Sequence, residues 1–337
     1  MYKAATDRII AAQEIVIIQP ENPDGDSLGS SLALEEILGD LGKQVTLFCP
    51  IDMPKYLRYI TGWDRVTGEW TGSYDLAIIV DTAAEALLQK TLATPGVRHF
   101  FESHPTIVLD HHGELDEEEP TNDLSFPHDF ILSANAASTS ELIYDIAIEN
   151  NWQVNAQAAT NIYISIAADT LGMTTQGATP KTFQTVADIV SLGAKPYEIE
   201  TKRREFMKKP ADILAYKAEL IKRIEYHLDG KLATVRIPWE DIQEYSDRYN
   251  PSVLVLDEMR LVEGVEVACA IKTYPDGKLT GKLRCNSPLA SVIAGYFGGG
   301  GHNYAAGFKL YESIDNIMPE LLTATEKALN NYDTKTI

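Results

Sequence analysis

Apolar and polar positions change in blocks along the first half of the chain. Glu14-Ile-Val-Ile-Ile-Gln19 has a continuous apolar centre too short for a helix and reads as a buried strand. From Ser27 to Leu41, the residues Leu28, Leu32, Leu34, Ile37, Leu38 and Leu41 recur at helical spacing, and Gln44-Val-Thr-Leu-Phe48 returns to the strand pattern. Asp75-Leu-Ala-Ile-Ile-Val80 and Thr106-Ile-Val-Leu109 repeat the strand signal, each followed at once by polar residues. Short apolar runs alternating with helical segments predict an α/β unit, a parallel sheet with helices on both faces.

Further along, Ser138 to Asn150 and Gln157 to Asp169 read as helices, the first opened by Ser138-Thr-Ser-Glu141 as a capping box. Thr179 to Leu192 is another, ended by Gly193. Gly113 to Asp123, with Glu114 and Asp116 to Glu119, reads as an exposed acidic loop. From about Ile199 to Tyr226 the text is charged and helical, the pattern of a connecting segment. Beyond His227, Leu232 to Ile237, Gly264 to Ile271 and Lys278 to Arg284 alternate as strands do, and Met318 to Asn330 closes with a helix. This divides the chain into an N-terminal parallel-sheet domain over 1–195, a helical linker over 196–227 and a smaller C-terminal mixed α/β domain over 228–337.

Composition adds three constraints. The 337 residues are 45% hydrophobic, enough for a core in each of two domains. With 29 Lys+Arg against 49 Asp+Glu, the formal charge is −20, which disfavours clamping of long duplex nucleic acid by a basic surface. A pocket that gathers carboxylates around divalent cations is compatible with that excess. Cys49, Cys269 and Cys285 are too few and too scattered for a disulfide framework and read as reduced. The N-terminus lacks a secretion signature and no apolar stretch reaches membrane-spanning length, so a cytoplasmic protein without membrane contact is expected.

The candidate chemistry lies at the ends of the predicted elements. Asp24 and Asp26 follow the first strand in Asn22-Pro-Asp-Gly-Asp-Ser-Leu-Gly29, Asp81 follows Ile78-Ile-Val80, and Asp110-His111-His112 follows Ile107-Val-Leu109. Asp169 ends the helical run from Ile162. Acids beyond the C-terminal ends of parallel strands face the crevice where open α/β sheets bind ligands. Pro23 and Gly25 impose a turn that aims two aspartates together, and Gly29 is expected to let the helix approach the sheet. Carboxylates with imidazole form a hard ligand set suited to Mn²⁺ or Mg²⁺, and paired divalent ions are the usual apparatus for in-line attack on a phosphoester. The run Gly298 to Gly301 reads as a backbone nest for an anion, with His302 as a directed donor.

Asn22-Pro-Asp-Gly-Asp26, Asp81, Asp110-His-His112, Asp169-Thr170 and Gly298-Gly-Gly-Gly-His-Asn-Tyr-Ala-Ala-Gly307, in this order, resemble the DHH phosphoesterases with a C-terminal DHH-associated domain. Within them the chain is similar to the bacterial nanoRNases (oligoribonucleases) and 3′-phosphoadenosine 5′-phosphate phosphatases. The resemblance implies Asp24 on one metal, Asp26 on a second, Asp81 bridging, and His111 with Asp169 on the second ion. It implies that His112 contacts the scissile phosphate or protonates the leaving group, oriented by Asp110. Arg284, Gly299, Gly300, Gly301 and His302 would hold the rest of the nucleotide. The expected cofactor is two Mn²⁺ ions, with one ion or Mg²⁺ as alternatives. The expected partner is short RNA or a small nucleotide, and a homodimer is compatible.

The chain departs from that pattern in three places. The first motif usually begins with a histidine two residues before the Asn, where this sequence has Pro20, flanked by Gln19 and Glu21. The fourth motif reads Asp169-Thr-Leu-Gly-Met-Thr-Thr175 without the usual Arg, and no Arg follows Asp81 closely. The alternative reading is therefore a noncatalytic nucleotide-binding or sensor protein with a degenerate metal site. A pyrophosphatase or polyphosphatase ranks lower, because those relatives end in a differently built Lys/Arg-rich domain.

Overall fold

The computed structural model describes residues 2–113, 122–246 and 248–336, with the side chains of His302, Asp333, Lys335 and Thr336 set aside. The acidic run from Glu114 to Glu119 lies outside the described residues. The chain divides into two compact units, 1–208 and 209–337.

The first unit is a parallel sheet of β1 (Glu14–Ile18), β2 (Gln44–Phe48), β3 (Val66–Thr67), β4 (Leu76–Val80), β5 (Thr106–Asp110) and β6 (Asp129–Leu132), in the spatial order β3-β2-β1-β4-β5-β6. Its helices are α1 (Lys3–Ala11), α2 (Gly25–Asp40), α3 (Gln89–Ala93), α4 (Val97–Ser103), α5 (Thr139–Glu149), α6 (Ala156–Asp169), α7 (Pro180–Ser191) and α8 (Pro196–Phe206). The continuous apolar text of β1 has a direct cause: Ile15 and Ile17 join a core with α2, α5 and α6, while Val16 and Ile18 join a second core with Phe100 and Phe101 of α4 on the opposite face. Both faces are thus covered. The chain leaves β1 towards β2 on one side and later builds β4 on the other, so the switch of direction falls between β1 and β4.

Helix α2 packs on α6 rather than directly on the sheet at Gly29, correcting the expectation for that glycine. A Cβ at position 29 would lie 2.8 Å from the Asn161 carbonyl oxygen and 2.9 Å from Ser165 Cβ. Gly29→Ala is expected to destabilise the protein by about 1–2 kcal/mol, because overpacking outweighs the helix-propensity gain of Ala. Urea denaturation would measure it, and an unchanged midpoint would contradict the close approach.

The second unit is a mixed sheet, ordered β11-β12-β10-β9-β8-β7. It comprises α9 (Ala211–Lys222), β7 (Glu225–His227), β8 (Leu232–Ile237), α10 (Trp239–Tyr245), α11 (Pro251–Arg260), β9 (Val267–Thr273), β10 (Lys278–Cys285), α12 (Ala290–Tyr296), β11 (Gly300–His302), β12 (Ala305–Tyr311) and α13 (Ile314–Thr336). Only β8 and β9 run parallel; the other neighbouring pairs are antiparallel. One face buries Leu279, Leu283 and Phe308 under α12 and α13, and the other buries Ala233, Val235, Ala268 and Ala270 under α9, α10 and α11. The segment read as a linker divides: α8 counts with the first unit, and α9 packs on β8 and α11 in the second. Cys49, Cys269 and Cys285 are free and buried. Among the described residues no helix is long and apolar enough to cross a membrane.

Candidate metal centre and its relatives

The polar groups meet beyond the C-terminal ends of β1, β4 and β5, where the switch between β1 and β4 opens a crevice. Asp24 is the N-cap of α2. Its Oδ1 accepts the backbone N–H groups of Asp26 and Ser27, both at 3.0 Å, and the Ser27 hydroxyl accepts its N–H in return. Asp26, the second residue of α2, is fully buried. Its Oδ1 lies 2.7 Å from the Ser30 hydroxyl and 2.5 Å from that of Ser165, and its Oδ2 accepts the N–H of Thr139 at 2.8 Å. Thr139 is the first residue of α5, so a helix N-terminus with its positive dipole end supports this carboxylate.

Asp81 follows β4 with a left-handed backbone, φ 65°, which Asp tolerates better than most residues. The Thr139 hydroxyl donates to its Oδ1 at 3.1 Å. Asp110 ends β5, and its Oδ1 accepts the N–H groups of His111 and His112 at 2.8 and 3.1 Å and lies 2.8 Å from His112 Nδ1. One carboxylate therefore fixes both histidines and leaves His112 Nε2 available at a side chain that is 55% exposed.

His111 sits at the centre. Its Nδ1 is 3.2 Å from the Ala136 carbonyl, which fixes the tautomer with Nδ1 as donor and turns the Nε2 lone pair inward. Nε2 lies 3.4 Å from Asp26 Oδ2, 3.7 Å from Asp81 Oδ1 and 3.0 Å from Asp169 Oδ2, yet it is buried without a hydrogen bond of acceptable geometry. Two ligand sets come together, Asp26 with His111 and Asp169, and Asp81 with His111 and His112, their donor atoms within 4.8 Å of one another in each.

The electrostatics have the same cause. Burial raises the Asp81 carboxyl well above its ordinary range, and Asp26, Asp24 and Asp169 push it further. Asp169 is pushed up to about 6, by burial first and then by the neighbouring acids against the opposing contact with His111. Burial would raise Asp26 too, but His111 and the Ser165, Thr139 and Ser30 donors outweigh it and hold it below the usual carboxylate range. Burial works to lower His111, yet the contacts with Asp169 and Asp26 carry it up to about 9. Such a cluster of acids is unfavourable unless positive charge enters. The hard oxygen and nitrogen donors, with His111 Nε2 turned inward among three carboxylates, fit a divalent cation.

Asp24 stands apart from both ligand sets, one of its oxygens occupied by the helix cap. Beside Pro20, Glu21 does not turn towards the cluster: its carboxylate accepts the N–H groups of Lys90 and Thr91 in α3, the latter at 3.1 Å. Gln19 is fully buried with both amide atoms unpartnered. Thr139, Ser165 and Ser30 support the site without having been foreseen. The N-cap at Ser138 marks the start of a helix, but its direction towards Asp26 depends on tertiary placement.

The glycine-rich run corrects the nest expectation in part. The N–H groups of Gly298 and Gly299 donate to carbonyls of α12, and Gly300 to His302 form β11 against β12. A Cβ at Gly299 would meet the Gly307 carbonyl oxygen at 2.3 Å, so these glycines permit strands to press together. Arg284 lies on β10, its guanidinium donating to the Leu283 carbonyl at 3.0 Å.

Residues 14–167 match the DHH family, N-terminal domain. The chain is a phosphoesterase of the DHH type. The chain has relatives over nearly its whole length that are named bifunctional oligoribonuclease and PAP phosphatase. It is 27% identical over 320 residues to the bifunctional oligoribonuclease and PAP phosphatase NrnA of Thermus thermophilus, covering 94% of this chain and 90% of that one. Its fold superposes on that of an exopolyphosphatase-related protein from Bacteroides fragilis with a TM-score of 0.82 at 21% identity, covering 98% and 95% of the two chains. RecJ from Thermus thermophilus, solved in complex with Mn²⁺, aligns with a TM-score of 0.53 at 15% identity, over 97% of this chain and 54% of RecJ.

Proposed function

We propose that this chain hydrolyses short oligoribonucleotides or dinucleotides, together with 3′,5′-bisphosphate nucleotides, using Mn²⁺. The observation that carries the reading is His111 Nε2, turned inward among Asp26, Asp81 and Asp169. Asp26, His111 and Asp169 would hold one ion, and Asp81 and Asp24 a second, with Asp81 shared between them. When bound, divalent ions supply Lewis-acid polarisation of the phosphate and lower the pKa of an attacking water. His112 is then the proton donor. Its Nδ1 contact with Asp110 raises its pKa against the opposing effect of burial; the contact favours the protonated ring and leaves Nε2 to give its proton to the leaving oxygen. Arg284 and the element from Gly299 to His302 would hold the rest of the substrate.

The noncatalytic alternative draws on Pro20, which brings no donor, and on Glu21, whose carboxylate is engaged elsewhere. Purified protein with Mn²⁺ is expected to release mononucleotides from a trinucleotide and phosphate from a 3′,5′-bisphosphate nucleotide, to stop on chelation, and to resume on adding Mn²⁺. Absence of turnover on every such substrate in protein shown by elemental analysis to carry manganese would favour the sensor reading.

A further inference from the structure

The first unit holds a buried carboxylate that the proposed reaction does not use. Glu141 is fully buried in the first turn of α5, and among the described residues no Lys, Arg or His is paired with it. Three donors converge on it instead. Its Oε2 accepts the Ala137 N–H at 2.7 Å and the Thr182 hydroxyl at 3.3 Å, and its Oε1 accepts the Thr185 hydroxyl at 3.2 Å. The N-terminal end of α5 adds a favourable dipole, so a negative charge is tolerated here without a cation.

The Ala137 N–H belongs to the same peptide unit as the Ala136 carbonyl, and that carbonyl lies 3.2 Å from Nδ1 of His111. Carboxylate, N–H, C=O and Nδ1–H therefore follow one another without a break from Glu141 to the imidazole. Both alanines are buried, which keeps water from competing for either bond. A planar amide couples its two ends by resonance, so an acceptor drawing on the N–H proton increases the negative charge on the carbonyl oxygen. A stronger carbonyl acceptor draws in turn on the Nδ1 proton of His111 and makes Nε2 a better electron-pair donor. Nε2 is the atom turned towards Asp26, Asp81 and Asp169. Two residues beyond Ala137, Thr139 holds Asp26 through its N–H and Asp81 through its hydroxyl, so the entry to α5 organises three of the candidate ligands.

We infer that Glu141 is a positioning residue for His111, acting through the peptide between Ala136 and Ala137 to fix the ring and to strengthen Nε2 as a donor to a divalent cation. The inference rests on His111 as a metal ligand in the proposed function and is independent of the substrate. Glu141 itself touches neither the ion nor the substrate: its carboxylate is spent on Ala137, Thr182 and Thr185.

The test compares Glu141→Gln with the parent by nitrogen-edited NMR of the metal-free protein and by calorimetric Mn²⁺ binding. The amide has the same shape, and its oxygen can still accept the Ala137 N–H while its NH₂ donates to a threonine hydroxyl, so only the charge is lost. In the metal-free variant the His111 Nδ1 proton and the Ala137 amide proton are both expected to move upfield. Mn²⁺ affinity is expected to fall about tenfold, the lower end for a lost outer-shell partner. Thr185→Val takes one hydroxyl from Glu141, leaves the charge, and is expected to bind Mn²⁺ as the parent does. An unmoved Nδ1 proton in Glu141→Gln overturns the inference whatever the affinity does, and an equal loss of affinity in Thr185→Val assigns the effect to the packing of α7 and overturns it too. Should Glu141→Gln not fold, the parent decides: Zn²⁺, a diamagnetic probe, is expected to move the Nδ1 and Ala137 protons downfield in step, and an Ala137 proton that stays while the His111 proton moves overturns the relay. A parent that binds no divalent ion would refute the proposed metal centre, with the metal-free comparison still deciding the relay.

Discussion

Asp81→Asn is expected to reduce phosphoester hydrolysis at least about a thousandfold while raising the melting temperature of the metal-free protein. The two effects have one origin. Asp81 is buried against Asp26, Asp24 and Asp169, and its raised pKa records how poorly its charge is tolerated there. An amide of the same shape removes that repulsion, keeps the 3.1 Å contact from the Thr139 hydroxyl and tolerates the left-handed backbone that Ala would strain. It gives up the carboxylate that the proposed centre shares between two ions. Adding Mn²⁺ should therefore reverse the order of stability, because only the parent gains the full linkage stabilisation from the ions. Calorimetry with and without Mn²⁺, beside an initial-rate assay on a trinucleotide, reads both arms. Substantial turnover by the variant would remove Asp81 from the reaction, and a lower metal-free melting temperature would remove the charge argument.

The second large effect separates two acids that stand side by side in sequence. Asp26→Ala is expected to destabilise the first unit by about 3–5 kcal/mol, whereas Asp24→Ala should cost only about 1 kcal/mol, the usual value of a lost N-cap. Asp26 is completely buried, and its loss strands the Ser30 and Ser165 hydroxyls, the Thr139 N–H and the inward face of His111. Asp24 is exposed, and water can replace its cap. Urea midpoints of the two variants would check the ranking, and equal midpoints would contradict the account of the buried shell. Because both residues belong to the proposed centre, only the stability readout distinguishes them.

Much of the architecture was legible because its cause is local. Strands β1, β4 and β5 are buried on both faces, so their text is almost continuously apolar and their bounds fall close to expectation. The short β6 escaped notice because its four residues are only partly buried and follow Pro127 and His128. Strand β11 is hidden by its glycines, which carry no side-chain pattern to read. Helix α5 was announced by Ser138, but Glu141 does not close the box: its carboxylate turns instead to the Ala137 N–H and to Thr182 and Thr185 of α7.

At the site, the acids that follow strands could be named from position alone. Asp26, Asp81, His111 and Asp169 do converge in the structure. What the sequence could not show was the division of labour around them. The occupation of Asp24 by its own helix, the withdrawal of Glu21 to α3 and the support from Thr139 and Ser165 all depend on how distant segments pack.

The three buried thiols have a practical consequence. Each is held protonated, with its pKa raised by burial; Cys49 lies in the first unit, and Cys269 and Cys285 share one core of the second. An alkylating reagent can reach them only when the surrounding strands part. Cys49 therefore serves as a natural clock for breathing of the first unit, and Cys269 and Cys285 for the second, without any introduced label.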